Sequence, residues 1–127
     1  DNHNIYAWSM KVFNDSLYVV TYNVKRDYVS LSLKDLIKYI MMNGNLVYLL
    51  GSDLVTKKSD GCQIWKTSDG THWSQVVGNE TSGPGNGFGD VNNNGIRSMS
   101  VYQIKNTNTL IIGTTNAVTG CEIWKYQ

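Results

Sequence analysis

A six-residue phrase occurs twice, as "GCQIWK" from Gly61 and "GCEIWK" from Gly120, 59 positions apart. Self-similarity at a fixed spacing marks repeat architectures, in which each supersecondary unit buries its apolar face against the next. A second echo lies upstream. "WSMKVFNDSLYVVTYN" (Trp8 to Asn23) matches "RSMSVYQIKNTNTLIIGTTN" (Arg97 to Asn116). Both run Ser-Met-x-Val-aromatic, an Asn turn, Leu with β-branched residues, then Thr-x-Asn. Their lead-ins also agree, because "DNHNIYA" from Asp1 and "DVNNNGI" from Asp90 place Asp and Asn turn residues ahead of the strand. A weaker third copy, "MMNGNLVYLLGSD" (Met41 to Asp53), has the same Asn-turn-Leu shape and precedes the first GC-x-IWK.

One unit therefore reads as strand A ("SMSVY"), a turn, strand B ("TLIIGTT"), a loop, strand C ("GCEIWK"), a turn and strand D ("HWSQVV"). Short antiparallel strands recurring about every 40–60 residues are the signature of β-propeller blades. The expected fold is all-β, an incomplete propeller of about 2.5 four-stranded units, since closure takes at least about four. The units fall at about residues 1–37, 38–89 and 90–127. Only the middle unit has all four strands; the first lacks a GC-x-IWK and the last stops after strand C. An unpaired strand edge is a template for another chain. The expected partners are therefore other copies of this chain or further blades on another chain.

Residues 33–42 admit two readings. Leu33, Leu36, Ile37, Ile40 and Met41 follow a helical period, with Ser32 as a possible cap and Gly44 as a stop. The repeat alignment instead makes Lys38 to Met42 strand A of the middle unit, and strand is the expectation taken here.

Composition agrees with short strands and many turns. One Pro accompanies 12 Gly, and Asn, Ser and Thr are abundant. Lys plus Arg number 11 against 10 Asp plus Glu, a net charge of +1. This leaves no basic footprint for nucleic acid or an anionic membrane. No apolar run reaches the roughly 18–20 residues of a membrane span. A chain opening at Asp1 is expected to be a processed or excised product. Sequons at Asn14 and Asn79 would suit a secreted glycoprotein.

The string "KTSDGTHW" has a clear local logic. Asp69 can accept backbone N–H bonds within the turn, Gly70 tolerates positive φ, and Ser68 or Thr71 can add a side-chain bond. Trp73 can then lay its indole over the hairpin. Ser68, Asp69, Gly70 and Trp73 resemble the Asp-box of sialidase-like and related β-propellers, with Gly directly after Asp as a shortened variant. Together with "GFGDVNNNGIRSMSVY" and "GCEIWK", the pattern resembles Asp-box repeats of secreted and surface-layer proteins, particularly archaeal ones. That resemblance implies a propeller in which Asp69 is structural and lies away from the axial site.

Candidate chemistry is sparse. Sialidase activity would need an arginine cluster for the substrate carboxylate, and the chain has only Arg26 and Arg97. Glycosidases need two carboxyls across the scissile bond, and no such pair is recognisable. The chain alone is therefore expected not to be an enzyme, although a part of a sialidase-like hydrolase stands as a distant alternative. Asp90, Asn92 and Asn94, with the Ile96 carbonyl, match the front of a calcium loop; the Glu that closes an EF-hand is replaced by Val101. The same tract also reads as a solvated turn. Calcium is the one cofactor the sequence suggests. Cys62 and Cys121 occupy equivalent repeat positions, expected to be too far apart for a disulfide. His3 and His72 lack ligand-spaced partners. Trp65 and Trp124 alternate in phase with Ile64 and Ile123, and are expected in the core between units rather than as a sugar platform.

The expected function is a non-enzymatic extracellular or cell-surface module with a structural or adhesive role. The alternative is a glycan-binding lectin.

Overall fold

The computed structural model describes residues 3–28, 34, 37, 41 and 55–127. Its strands are β1 (Asn4–Phe13), β2 (Ser16–Asn23), β3 (Lys25–Tyr28), β4 (Val55–Lys58) and β5 (Ile64–Thr67). They continue with β6 (Ser74–Val77), β7 (Gly95–Ile104), β8 (Thr107–Thr115) and β9 (Ile123–Tyr126). A 3-10 turn at Asn86–Gly89 precedes β7.

Each sequence echo begins as a hairpin with the same turn. Asn14 and Asp15 link β1 to β2, and Lys105 and Asn106 link β7 to β8. All four have positive φ, at 44°, 55°, 48° and 62°. Two-residue turns of this mirror-image kind match the right-handed twist of the flanking strands. Asn and Asp enter this region most readily among non-glycine residues, which suits three of the four positions. A second device is also repeated. The register slips between Ala7 and Ser9 in β1 and between Ile96 and Ser98 in β7, so Trp8 and Arg97 sit on equivalent bulges. A bulge re-aims its side chain. The Trp8 ring lies so close over Gly95 that a Cβ there would come within 2.2 Å of it, and the Arg97 guanidinium stands 5.6 Å from the Trp8 ring.

Pairing assembles the strands into antiparallel sheets ordered β1-β2-β5-β6, β3-β4 and β7-β8-β9. The all-β expectation holds at this level, and the two larger sheets are open rather than closed on themselves. The first GC-x-IWK strand, β5, pairs with β2, Val19 opposite Trp65 and Val20 opposite Ile64. The four-stranded sheet therefore joins strands A and B of the first echo to strands C and D of the expected middle unit. Residues Lys25–Lys58 form a second compact unit, within which β3 and β4 pair antiparallel. Within it, Lys34, Ile37 and Met41 have helical backbone. The strand expectation for 38–42 is thereby corrected at Met41, where the local 3.6-residue periodicity outweighs the repeat alignment. The weak third echo lies mostly outside the described residues.

The core sits between the four-stranded and three-stranded sheets. Phe13, Tyr18, Val20, Cys62, Ile64 and Val77 come from the first; Ile96, Met99, Leu110 and Ile112 come from the second. Val20, Ile64, Ile96 and Leu110 are at most 1% exposed, and each such burial is worth about 1.5–3 kcal/mol. Strand β9, in contrast, has no buried residue.

Candidate functional site

Five side-chain hydrogen bonds of a polar network recur in the two sheets. In the first, Asn4 Nδ2 donates to Gln63 Oε1 at 2.7 Å, and Asn4 Oδ1 accepts from Asn23 Nδ2 at 3.0 Å. In the second, Asn93 Nδ2 donates to Glu122 Oε2 at 2.8 Å, and Asn93 Oδ1 accepts from Asn116 Nδ2 at 3.1 Å. The Gln63 N–H donates to Thr21 Oγ1 at 2.9 Å, and the Glu122 N–H to Thr114 Oγ1 at 2.8 Å. Trp65 Nε1 reaches Gln63 Oε1 at 3.2 Å, as Trp124 Nε1 reaches Glu122 Oε2 at 2.9 Å. Asn23 Oδ1 and Asn116 Oδ1 each accept the N–H of the residue just before the repeated glycine, Asp60 and Thr119, at 2.9 Å. Gln and Glu both serve at this position because the shared bonds use a side-chain oxygen that accepts from an Asn amide and an indole, while Gln63 additionally donates Nε2 to Asn86 Oδ1 at 3.1 Å. Buried polar groups of this kind fix a unique arrangement when all are satisfied.

The two networks meet at a junction made of main chain. The Asn93 carbonyl accepts the Cys62 N–H, and the Asn94 carbonyl accepts the Asn23 N–H, both at 2.8 Å. The Gly87 N–H in turn donates to the Cys62 carbonyl at 2.8 Å. Gly61, at φ +85°, permits this approach, because a Cβ there would stand 2.6 Å from the Asn86 carbonyl carbon. Phe88 holds φ 62° and stacks on Trp124, with centroids 4.6 Å apart and planes 11° from parallel.

The turn after β5 is self-capped, as its residues suggest. Asp69 Oδ1 accepts the Thr71 N–H at 2.8 Å and the His72 N–H at 2.7 Å, while Oδ2 pairs with His72 Nδ1 at 2.6 Å. The His72 N–H, the His72 ring and the Thr71 N–H hold the Asp69 carboxyl well below the ordinary range. Gly70 has φ +77°. The buried anchor is Thr67, whose Oγ1 accepts the Gly70 N–H at 2.9 Å, in place of the neighbouring Ser68, which lies exposed. Trp73 is 44% exposed, so it does not bury its indole over the hairpin as the sequence suggested.

The Asp90 loop is engaged in the same manner. Asp90 Oδ1 accepts the Asn92 N–H at 2.9 Å; Oδ2 accepts Asn116 Nδ2 at 3.0 Å and Thr119 Oγ1 at 2.9 Å. These donors, the Asn92 N–H foremost, lower the Asp90 pKa. Asn94 is used through its backbone at the junction, its Oδ1 being buried without a partner, and Ile96 is paired opposite Thr114 in the ladder. No group of three or more His, Cys, Asp or Glu that could hold a metal occurs among the described residues. Cys62 and Cys121 are both free thiols; burial pushes Cys62 up to about 12, and Cys121 is exposed. Asn14 is exposed at its hairpin tip, and Asn79 Oδ1 accepts the Thr81 N–H at 3.1 Å in a surface turn. His3 pairs with Asp60.

A cleft of about 450 Å³ opens between the two sheets. Tyr18, Phe88, Trp124 and Tyr126 line it, with Lys66 and Lys125 at hand. Phe13, Tyr18 and Tyr126 form an edge-to-face cluster with centroids 5.8–6.2 Å apart. Burial, with the Tyr126 hydroxyl beside it, pushes Tyr18 up to about 12, and the Lys66 ammonium lies 5.6 Å from the Tyr18 ring. Trp65 and Trp124 are part-exposed, each tied by its indole N–H and set beside the core rather than within it.

Asn4, Thr21, Asn23 and Gln63, with counterparts Asn93, Thr114, Asn116 and Glu122, were not singled out by residue type. Their signal was present in the echo itself, in the Thr-x-Asn that ends each strand B and the variable residue of GC-x-IWK. No family model, curated protein or solved structure matches the chain.

Proposed function

We propose that the chain is a non-enzymatic extracellular β-propeller segment with a structural, cell-surface or adhesive role. One observation carries this reading: two successive sheets share the same polar network, hairpin turn and bulge, and are locked together through main-chain bonds at Asn93 and Asn94. Polar side chains that would otherwise be candidates for chemistry, Asp69 and Asp90 among them, are employed in holding turns. A secreted or surface location is inferred from the Asp-box resemblance of Ser68, Asp69, Gly70 and Trp73 in the sequence. Brief protease treatment of intact cells of the source organism should release peptides of this chain. Peptides recovered only after lysis would sink the surface assignment.

A glycan-binding role is the second reading, favoured by the aromatic lining of the inter-sheet cleft with two lysines at its rim. A glycan array distinguishes the two. The structural reading expects no sugar-dependent signal. A signal abolished by Trp124→Ala, in a variant that melts as wild type does, would replace it with the lectin.

A further inference from the structure

The junction within the chain has a receiving half and an inserted half. The receiving half is the Asn23 N–H at the end of β2 and the Cys62 N–H ahead of β5; the inserted half is the carbonyl pair of Asn93 and Asn94. The second sheet carries its own receiving half. Asn116 and Cys121 stand where Asn23 and Cys62 stand, and the same side-chain bonds fix the loop between them. Yet the Asn116 and Cys121 N–H groups have no counterpart bond among the described residues. The space agrees. Gly61 is pressed by Asn86 and Gly87, whereas its equivalent Gly120, also at positive φ (+97°), has none of the described residues beyond its chain neighbours within 4 Å of where a Cβ would be.

The chain also carries a second inserted half. Asn4 holds the position of Asn93, tied to Gln63 and Asn23 as Asn93 is tied to Glu122 and Asn116. Ile5, equivalent to Asn94, drops out of the ladder between Asn4 and Tyr6 and is 45% exposed. By that equivalence the Asn4 and Ile5 carbonyls are the counterparts of those of Asn93 and Asn94, with Asn4 also paired opposite Asn23 in the β1–β2 ladder.

We propose that the chain associates head to tail with a second copy of itself. The Asn4 carbonyl of one molecule accepts the Cys121 N–H of the next and the Ile5 carbonyl accepts its Asn116 N–H, repeating between molecules the junction made within one. The proposal rests on reading the two sheets as successive repeats of one propeller. The contact is heterologous, so it builds a ring if the rotation closes and a filament if it does not.

The test uses the 127-residue chain in sedimentation velocity from about 1 μM to about 1 mM, the span over which weak to moderate junctions populate. Gly120→Asn blocks the receiving end with the side chain that best tolerates positive φ. Ile5→Glu blocks the inserted end at an exposed position. Wild type is expected to grow with concentration beyond a dimer or into a closed ring. Each variant alone is expected to stay at the 14.2 kDa monomer. Their equimolar mixture, which retains one intact junction per pair, is expected to give a dimer and nothing larger. Should Gly120→Asn fail to fold, a bulky maleimide on the exposed Cys121 of folded wild type serves as the block, because Cys62 is buried.

Wild type that remains monomeric throughout overturns the proposal, as does association that neither block weakens by about tenfold, the equivalent of 1.4 kcal/mol. Amide exchange separates this failure from failure of the repeat reading. Slow exchange at Asn23 and Cys62 in a non-associating chain leaves the internal junction standing and removes only the docking. Fast exchange at both, in a folded chain, removes the junction and with it both readings.

Discussion

Strands β5 and β9 carry the same phrase, and Gln63 and Glu122 just ahead of them share a set of bonds, yet the two strands live in different surroundings. Ile64 is 1% exposed and Ile123 is 72% exposed; Cys62 is buried and Cys121 is open. Since the hydrogen bonds of Gln63 and Glu122 match to within a few tenths of an ångström, the polar network is a property of the repeat unit. Burial is a property of the neighbour. Strand β5 is covered by the second sheet and flanked by β6, whereas β9, among the described residues, is an edge strand bonded only to β8. The repeat thus supplies its own geometry and borrows its core from whatever packs beside it, as expected of architectures stabilised by nearest-neighbour interfaces.

The largest expected effect tests that division directly. Ile64→Ala should cost about 2–5 kcal/mol, the range for emptying a packed aliphatic site. Ile123→Ala should stay within about 0.5 kcal/mol. Urea midpoints of the two variants, at unchanged slope, give the comparison. Equal losses would mean that β9 is covered in solution, which is also what head-to-tail association predicts at high concentration. The measurement therefore belongs at low micromolar protein.

Glycine gives a smaller contrast. Gly61 and Gly120 share positive φ, so alanine should cost about 1–2 kcal/mol at either through backbone strain. Only at Gly61 does the added Cβ also meet main chain, at 2.6 Å from Asn86. That clash should add about 1–3 kcal/mol, the usual penalty of overpacking. If Gly61→Ala and Gly120→Ala melt alike, the 86–88 segment is not seated on Gly61 and the internal junction is wrong.

These contrasts also show what could be read from the residues alone. The all-β class was legible because turn residues and β-branched runs alternate at strand length, and because a repeated phrase demands repeated units. The Asp69 turn was legible because its contacts span three residues. What was not legible is long-range. The pairing of β2 with β5 crosses the whole 25–58 segment, and local pattern cannot say which strand B a given strand C will join. At Met41 the repeat alignment favoured strand, yet the backbone follows the local helical period. Trp73 was expected to be a buried staple, but covering an indole needs a neighbour, and the exposed turn offers none. Most of the network escaped notice since Asn and Thr at strand ends look like ordinary turn residues. Only the matching Gln63 and Glu122 bonds reveal that they do the same thing twice.

The smallest expected effect concerns the two carboxylates that hold turns, Asp69 after β5 and Asp90 ahead of β7. Asp69 is bonded as the anion to two backbone N–H groups and the His72 ring, Asp90 to one backbone N–H and two side chains, and each pKa is lowered. For a group depressed in the folded state, the ionised form is the one the fold prefers. The stabilisation is then fully present above the unfolded value near 3.9 and disappears as pH falls through it toward the folded value. Asn in place of either Asp keeps an oxygen that can accept the N–H bonds, but it cannot titrate. Between about pH 5 and about pH 2, the urea midpoint of wild type should fall further than that of Asp69→Asn or of Asp90→Asn. Both carboxylates face solvent, so each difference should shrink as salt is added. The two turns share no hydrogen-bond partner, and the double variant should therefore show the sum of the two changes. A double variant with an acid limb identical to that of wild type would assign the acid sensitivity to other groups. It would also leave the two turns held by geometry alone.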